Sequence, residues 1–212
     1  VILSSSELAV WEPDGAKTKQ YIDNIHAESL RMKELVEDML TLARAESGAK
    51  LVMEPVDLSD TALESALAFE PVAFENGRTL AYDIQPELSV SGSAVQLRRL
   101  TDILLDNAVK YAAAGTDISL LLRREGRSAV LQVENKGETI PPEKLPHLFD
   151  RFYRADESRT GGEGFGLGLA IAQSVAQTHG SIGCTSAEGV TRFTVTLPLL
   201  KNEPMKRGKD AC

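Results

Sequence analysis

The sequence predicts an α+β protein: a two-layer α/β sandwich of about five mostly antiparallel strands with helices on one face, preceded by a helical hairpin that dimerises into a four-helix bundle. Three observations predict it. Over residues 18–45 the apolar positions Ile22, Ile25, Met32, Val36, Met39 and Ala43, with Ser29 among them, alternate by three and four, and Leu35 and Leu42 widen the stripe. Beyond residue 50 this long period gives way to short elements separated by turn residues. The strand-like runs there come as neighbours, 117–124 with 128–134 and 182–186 with 192–197. Helices therefore do not alternate one for one with strands, which excludes a doubly wound parallel sheet.

Taken in order, residues 1–11 are apolar enough for the end of a helix, and Glu12-Pro13-Asp14-Gly15 stops it. The helix over 18–45 is about 40 Å long at 1.5 Å per residue. Its stripe must be buried, and the short preceding helix cannot cover it alone. A second copy of the hairpin is the natural cover; the alternative is packing on the C-terminal part of the same chain. Glu46-Ser47-Gly48-Ala49-Lys50 reads as a helix stop and hinge, dividing the chain into 1–48 and 49–200.

A short strand is expected over 51–55, then a helix over 60–76 capped by Asp57 or Ser59 and ended by Asn76-Gly77. Residues 79–84 read as a strand. Residues 94–111 read as a helix whose stripe of Leu97, Leu100, Ile103, Leu104 and Val109 faces the sheet. The strands 117–124 and 128–134 form a hairpin around Glu125-Gly126-Arg127, and a last pair turns at Ala187-Glu188-Gly189 after a helix over 166–178.

Composition narrows the function. A chain of 212 residues with 42% hydrophobic and 25% charged residues is ordinary for a globular protein. A net charge of -8 argues against nucleic acid as a partner. The basic cluster Lys206, Arg207 and Lys209 belongs to a solvated stretch, 201–212, expected to be a disordered tail. No run approaches the roughly 18 apolar residues of a membrane span, and no signal peptide is visible. Cys184 and Cys212 offer neither a disulfide framework nor metal-ligand spacing, which fits a reducing cytoplasm; Cys184 reads as a small buried hydrophobe. The chain opens on Val1-Ile2-Leu3 without an initiator Met and is expected to be a piece of something longer.

The chemistry concentrates between Asn135 and Leu169. This stretch leaves an apolar strand, crosses a polar, Gly-rich segment containing Gly161, Gly162, Gly164, Gly166 and Gly168, and closes into a helix. That layout suggests a flap over a bound anion, with glycines admitting the backbone to phosphate and the helix N-terminus supplying N–H groups. On the 94–111 helix, Asn107 offers a neutral oxygen to a metal ion, Lys110 a charge for phosphate and Tyr111 a ring for a base. By spacing alone these three are a coincidence as often as a site.

Motifs add specificity. Leu105-Asp106-Asn107-Ala108-Val109-Lys110-Tyr111 resembles the N box of the sensor histidine kinases, whose ATP-binding domain belongs to the gyrase, Hsp90, histidine kinase and MutL superfamily. Val133-Glu134-Asn135-Lys136-Gly137-Glu138-Thr139-Ile140-Pro141 is similar to their G1 box, Leu148 to Arg154 to their F box, and Gly164-Phe165-Gly166-Leu167-Gly168-Leu169-Ala170-Ile171 to their G2 box. Asp38-Met39-Leu40-Thr41-Leu42-Ala43-Arg44 resembles the end of the return helix of the family's dimerisation and phosphotransfer hairpin. The four boxes stand in family order.

The resemblance implies a Bergerat-type ATP-binding fold and cofactors ATP and Mg²⁺. It implies that Asn107 coordinates Mg²⁺, that Lys110 and Arg154 contact phosphate, and that Tyr111 packs by the adenine. Asn135 would stand where the adenine amino group is read, and Gly137 and Ile140 would line the base pocket. Phe149 and Leu167 fall in the boxes and are carried over with the nucleotide site, and Gly164, Gly166 and Gly168 would wrap the triphosphate. Two departures weaken the pattern: Asn135 replaces the usual Asp of the G1 box and Thr139 its second Gly; the Asn oxygen can accept the adenine N–H but without charge, so weaker nucleotide binding rather than none is expected. A third is Ile103, where the N box often has an earlier Asn.

The family's phosphoacceptor is a His followed by an acidic residue and shortly by Pro, on the first hairpin helix; it would fall just before Val1. None of His26, His147 and His179 has that setting. His26 reads as a bundle-surface residue, His147 as a solvent-facing lid residue, and His179 as a partly charged ring at the negative end of a helix. The resemblance thus implies the cytoplasmic catalytic region of a membrane-anchored sensor kinase, a homodimer through the hairpin, whose response regulator docks on residues 18–42. The rivals are an anti-sigma-type protein-serine kinase and a degenerate ATP-binding module that signals by dimerisation alone.

Overall fold

The computed structural model describes residues 1–46, 52–155 and 165–200. The expected hinge at 47–50, Gly161, Gly162, Gly164 and the tail at 201–212 lie outside the described residues.

The N-terminal helices α1 (Ile2–Trp11) and α2 (Gly15–Glu46) fold back on each other. Asp14 starts α2 by accepting the Ala16 N–H at 2.9 Å, so the helix begins earlier than residue 18. On α1 the covered face is Ile2, Ser5, Ser6 and Ala9, mostly small side chains that let α2 approach. The apolar stripe of α2 divides. Leu42 is buried and Leu35 half-buried against the core of the second layer, whereas Ile22, Met32, Val36 and Met39 are each more than half exposed. An ion pair between Asp38 and Arg99 joins α2 to the second layer.

That layer is a five-stranded sheet in the order β2-β4-β5-β7-β6. The strands are β2 (Thr79–Ile84), β4 (Asp117–Glu125), β5 (Ser128–Lys136), β6 (Ser181–Ala187) and β7 (Val190–Pro198). Only β2 and β4 run parallel; the other pairs are antiparallel. Alternation decides the faces: Ile118, Leu120 and Leu122 on β4, with Phe193, Val195 and Leu197 on β7, point into the core, while Ser119, Arg192 and Thr194 alternate with them. Helices α3 (Leu58–Glu75), α4 (Ala94–Tyr111) and α5 (Gly168–His179) cover the apolar face.

Boundaries shift where tertiary pairing outweighs local pattern. The strand expected at 51–55 is β1 (Glu54–Asp57), which pairs with an unforeseen β3 (Ser89–Gly92) in a separate two-stranded sheet. Asp57 caps α3 by accepting the N–H groups of Ser59 and Asp60, at 2.9 and 3.2 Å. Cys184 on β6 is half-buried, and desolvation pushes its thiol up to about 12.

His179 corrects an expectation. Its ring is buried, with Nδ1 2.8 Å from the Val175 carbonyl and Nε2 3.2 Å from the Ser93 backbone N–H. A backbone N–H can only donate, so Nε2 accepts and Nδ1 carries the proton. The ring is thus a neutral bridge from α5 to the β3–α4 junction, not a charged helix-end group. Gly92 lies beneath it: a Cβ there would meet the ring at 2.6 Å.

Candidate functional site

Helix α4 supplies the floor of the site. Leu97, Leu100, Leu104, Leu105 and Ala108 are buried, which turns Ile103, Asn107, Lys110 and Tyr111 to a more open side. These four stand at i, i+4, i+7 and i+8, one above the other on a helical surface. Asn107 is half-buried, and its amide makes no hydrogen bond to another described residue. Lys110 lies 2.6 Å from Asp106, and Tyr111 is 46% exposed.

The N-terminus of α5 rests on this same side. A Cβ placed on Gly168, its first residue, would lie 3.5 Å from Ile103 Cγ2, one turn from Asn107. Among the described residues no side chain caps α5, which leaves its leading N–H groups available to an anion. Leu167 is buried and anchors the turn that enters the helix.

Strand β5 brings a polar group into an apolar layer. Asn135 continues the inward alternation of Leu131 and Val133 and is 3% exposed, flanked by Ile118 on β4 and Thr191 on β7. Its side-chain amide makes no hydrogen bond to another described residue. The amide is not among the sealed, unpartnered polar groups of the fold, so its polar end reaches the surface of this corner, open to a partner.

Backbone contacts then close the corner. The Ala113 N–H donates to the Lys136 carbonyl at 2.7 Å, and a Cβ on Gly137 would come within 2.5 Å of the Tyr111 carbonyl. Only glycine fits there, and its closeness brings Tyr111, Asn135 and Gly137 together. Ile140 follows, half-buried, with its N–H donated to Ser186 Oγ at 2.9 Å.

The first half of the lid is pinned at several points. Phe149 packs edge-on against Phe193, with ring centroids 6.3 Å apart, so its ring anchors the lid to the core. Lys144 Nζ donates to the Ala155 carbonyl at 2.7 Å, and His147 Nδ1 lies 2.8 Å from Asp150. Arg154 is half-buried. Gly166, at φ +71, sits against the backbone of Phe152 and Tyr153, and its carbonyl accepts the Phe152 N–H at 3.0 Å. The two sides of the lid therefore meet at its neck. Gly164 lies outside the described residues.

Sequence reasoning missed Thr191 and Ser186, a hydroxyl pair beside Asn135 and Ile140, and saw Thr139 only as a departure from the G1 box. Thr191 is buried, and its Oγ1 lies 2.9 Å from Ser186 Oγ. A polar residue at an inward position of the run Thr191, Phe193, Val195, Leu197 was the available signal. Among the described residues no three His, Cys, Asp or Glu side chains gather as a metal site. A cation here would have Asn107 as its protein oxygen, with the remaining ligands from water and substrate, a pattern Mg²⁺ accepts.

This corner of glycines, an inward amide and an open helix N-terminus on a mixed sheet defines the nucleotide-binding layer of one ATPase class. Residues 92–201 match the family described as histidine kinase-, DNA gyrase B- and HSP90-like ATPase, and residues 1–48 match the His Kinase A (phospho-acceptor) domain. The chain belongs to that ATPase family, among the two-component sensor histidine kinases.

Its relatives include the sensor histidine kinase CusS of Escherichia coli (strain K12), 36% identical over 202 residues, covering 93% of this chain and 42% of that protein. The sensor histidine kinase TrcS of Mycobacterium tuberculosis (strain ATCC 25618 / H37Rv) is 36% identical over 192 residues, covering 88% of this chain and 38% of that protein. The chain thus spans under half the length of these relatives. Among solved structures, histidine kinase AdeS of Acinetobacter baumannii shares the fold, with a TM-score of 0.73 at 20% identity over 94% of each chain. Full-length ShkA, solved in complex with AMPPNP, gives 0.75 at 23% identity, covering 95% of this chain and 43% of that one. Among the described residues no helix is long and apolar enough to cross a membrane.

Proposed function

We propose that this chain is the catalytic region of a sensor histidine kinase, binding Mg-ATP and directing its γ-phosphoryl group to a histidine, for relay to a response-regulator aspartate. The observation that carries the reading is Asn135, an inward residue whose amide opens onto the corner without a hydrogen bond to another described residue, beside a position that only glycine fits. A base edge supplies the missing partner, and the open N-terminus of α5 near Asn107 supplies a place for phosphate.

In this reading Asn135 orients the base, Gly137 and Ile140 line its pocket, and Tyr111 packs beside it. Lys110 and Arg154 neutralise phosphate oxygens, with Lys110 exchanging Asp106 for the ligand, while Gly164, Gly166 and Gly168 let the lid backbone close over the phosphates. Leu167 and Phe149 hold the lid to the core. Asn107 would hold Mg²⁺, which when bound would offset phosphate charge. Phosphoryl transfer asks the protein chiefly for positioning and charge neutralisation, and these residues offer both.

The acceptor is a histidine other than the three present. His179 has both ring nitrogens engaged inside the fold, His147 pairs with Asp150, and His26 stands exposed on α2 without an adjacent acidic residue and Pro. We place the dimerisation and phosphotransfer part at 1–48 and the ATP-binding part at 49–200, with the homodimer and the response regulator both using the α1–α2 hairpin. The region would work in the cytoplasm. The exposed stripe of Ile22, Met32, Val36 and Met39 favours this over a serine kinase, which needs no such helix.

Titrating the chain with ATP, with and without Mg²⁺, and following thermal unfolding tests the reading. Stabilisation by millimolar Mg-ATP is expected, and Asn107→Ala should abolish the Mg²⁺-dependent part while the ligand-free midpoint stays put. An unchanged Mg²⁺ response in that variant would remove Asn107 from the metal site.

A further inference from the structure

The loop that leaves β5 is fastened to the β6–β7 turn by a side chain the ATP-site motifs do not predict. Thr139 is exposed, yet its Oγ1 accepts the Gly189 N–H at 2.8 Å. The Gly189 carbonyl in turn accepts the Gly137 N–H at 2.8 Å. One peptide neighbourhood is thus gripped from both sides. Next along, the Ile140 N–H donates to Ser186 Oγ, which pairs with Thr191 Oγ1.

Residues 137, 139 and 140 are therefore each tied to 186–191. The turn they hold has both central residues left-handed, Glu188 at φ 52 and Gly189 at φ 77, as a tight hairpin favours; of the two only Glu188 bears strain. A glycine at position 139 would have no hydroxyl to give, and the loop would be held only at its ends.

We propose that Thr139 is a positioning residue for the base pocket. Its hydroxyl presets the backbone of Gly137 and the side chain of Ile140 against the β6–β7 turn before nucleotide arrives. This inference rests on the ATP-binding reading above and deepens it: preorganisation by Thr139 offsets the charge that Asn135 does not bring to the base.

The test compares wild type, Thr139→Val and Thr139→Ser for Mg-ATP and ADP affinity by calorimetry, and for amide hydrogen exchange at Gly189 without nucleotide. Thr139→Val should exchange faster at Gly189 and bind both nucleotides about 3- to 10-fold more weakly, the worth of one hydrogen bond. Thr139→Ser should restore both readouts to within about twofold, since the hydroxyl is kept. A loss confined to ATP would put the effect in the phosphate lid and overturn the proposal. So would a Ser variant no better than Val, or a Val variant that exchanges and binds like wild type. Wild type that binds neither nucleotide would overturn the ATP reading and this one with it, whereas wild-type binding with an unchanged Val variant overturns this one alone.

Discussion

In the sheet layer the chain buries its own apolar residues: Leu97, Leu104, Leu105, Ile118 and Leu122 are all within 1% of full burial. On the hairpin, Leu3, Val10 and Trp11 of α1 and Ile22, Met32 and Val36 of α2 stay more than half exposed. Both regions carry regular apolar periods. Periodicity thus says which residues need covering, but not whether the cover comes from the same chain. The two regions meet where Leu35 and Leu42 pass from the second case to the first, beside the Asp38–Arg99 pair.

The comparison can be broken at several points. Leu104→Ala in the self-covered layer should cost about 2–5 kcal/mol, read from urea unfolding, because it opens a cavity under α4. A loss under 1 kcal/mol would mean that this core is not tightly packed. Replacing Met32 and Val36 together by Asp should abolish self-association in sedimentation while leaving unfolding of the sheet layer unchanged; a variant that still dimerises would take the dimer seam elsewhere. The smallest effect belongs to the junction. Asp38→Arg should loosen α2 from α4 by about 1 kcal/mol or less, since both side chains are partly exposed, and Arg99→Asp added to it should restore the contact. Spin-label distances across α2 and α4 would show whether that rescue occurs.

Much of this was legible in the residues, for local reasons. The strand β7 alternates clearly, β4 and β5 pair around an evident turn, and α4 carries its stripe and its candidate site residues on one continuous helix. The strand β3 was not legible, because Ser89-Val90-Ser91-Gly92 has one apolar residue; it exists through pairing with β1 and a bridge from Val90 to Leu199. His179 misled because its neutral bridge depends on Gly92 and Ser93, far away in the chain. For the candidate site, Asn107, Asn135 and Gly137 were picked out by the resemblance to the family's boxes, not by spacing alone. The role of Thr139 was not, since its partner Gly189 follows only after the lid, α5 and β6.

Strands β5 and β7 pair without interruption from Ser128↔Pro198 to Lys136↔Val190. The chain that leaves the sheet at Lys136 therefore returns one strand spacing away, and the Phe152–Gly166 contact closes a smaller ring within it. Among the described residues, closure at these necks is held by the sheet pairing and by a backbone hydrogen bond. Lengthening such a ring costs slowly, about 0.6 kcal/mol for each doubling. The sheet can thus keep its register while the segment between Phe152 and Gly166 changes in length or sequence, so that segment is free to vary without refolding the domain beneath it.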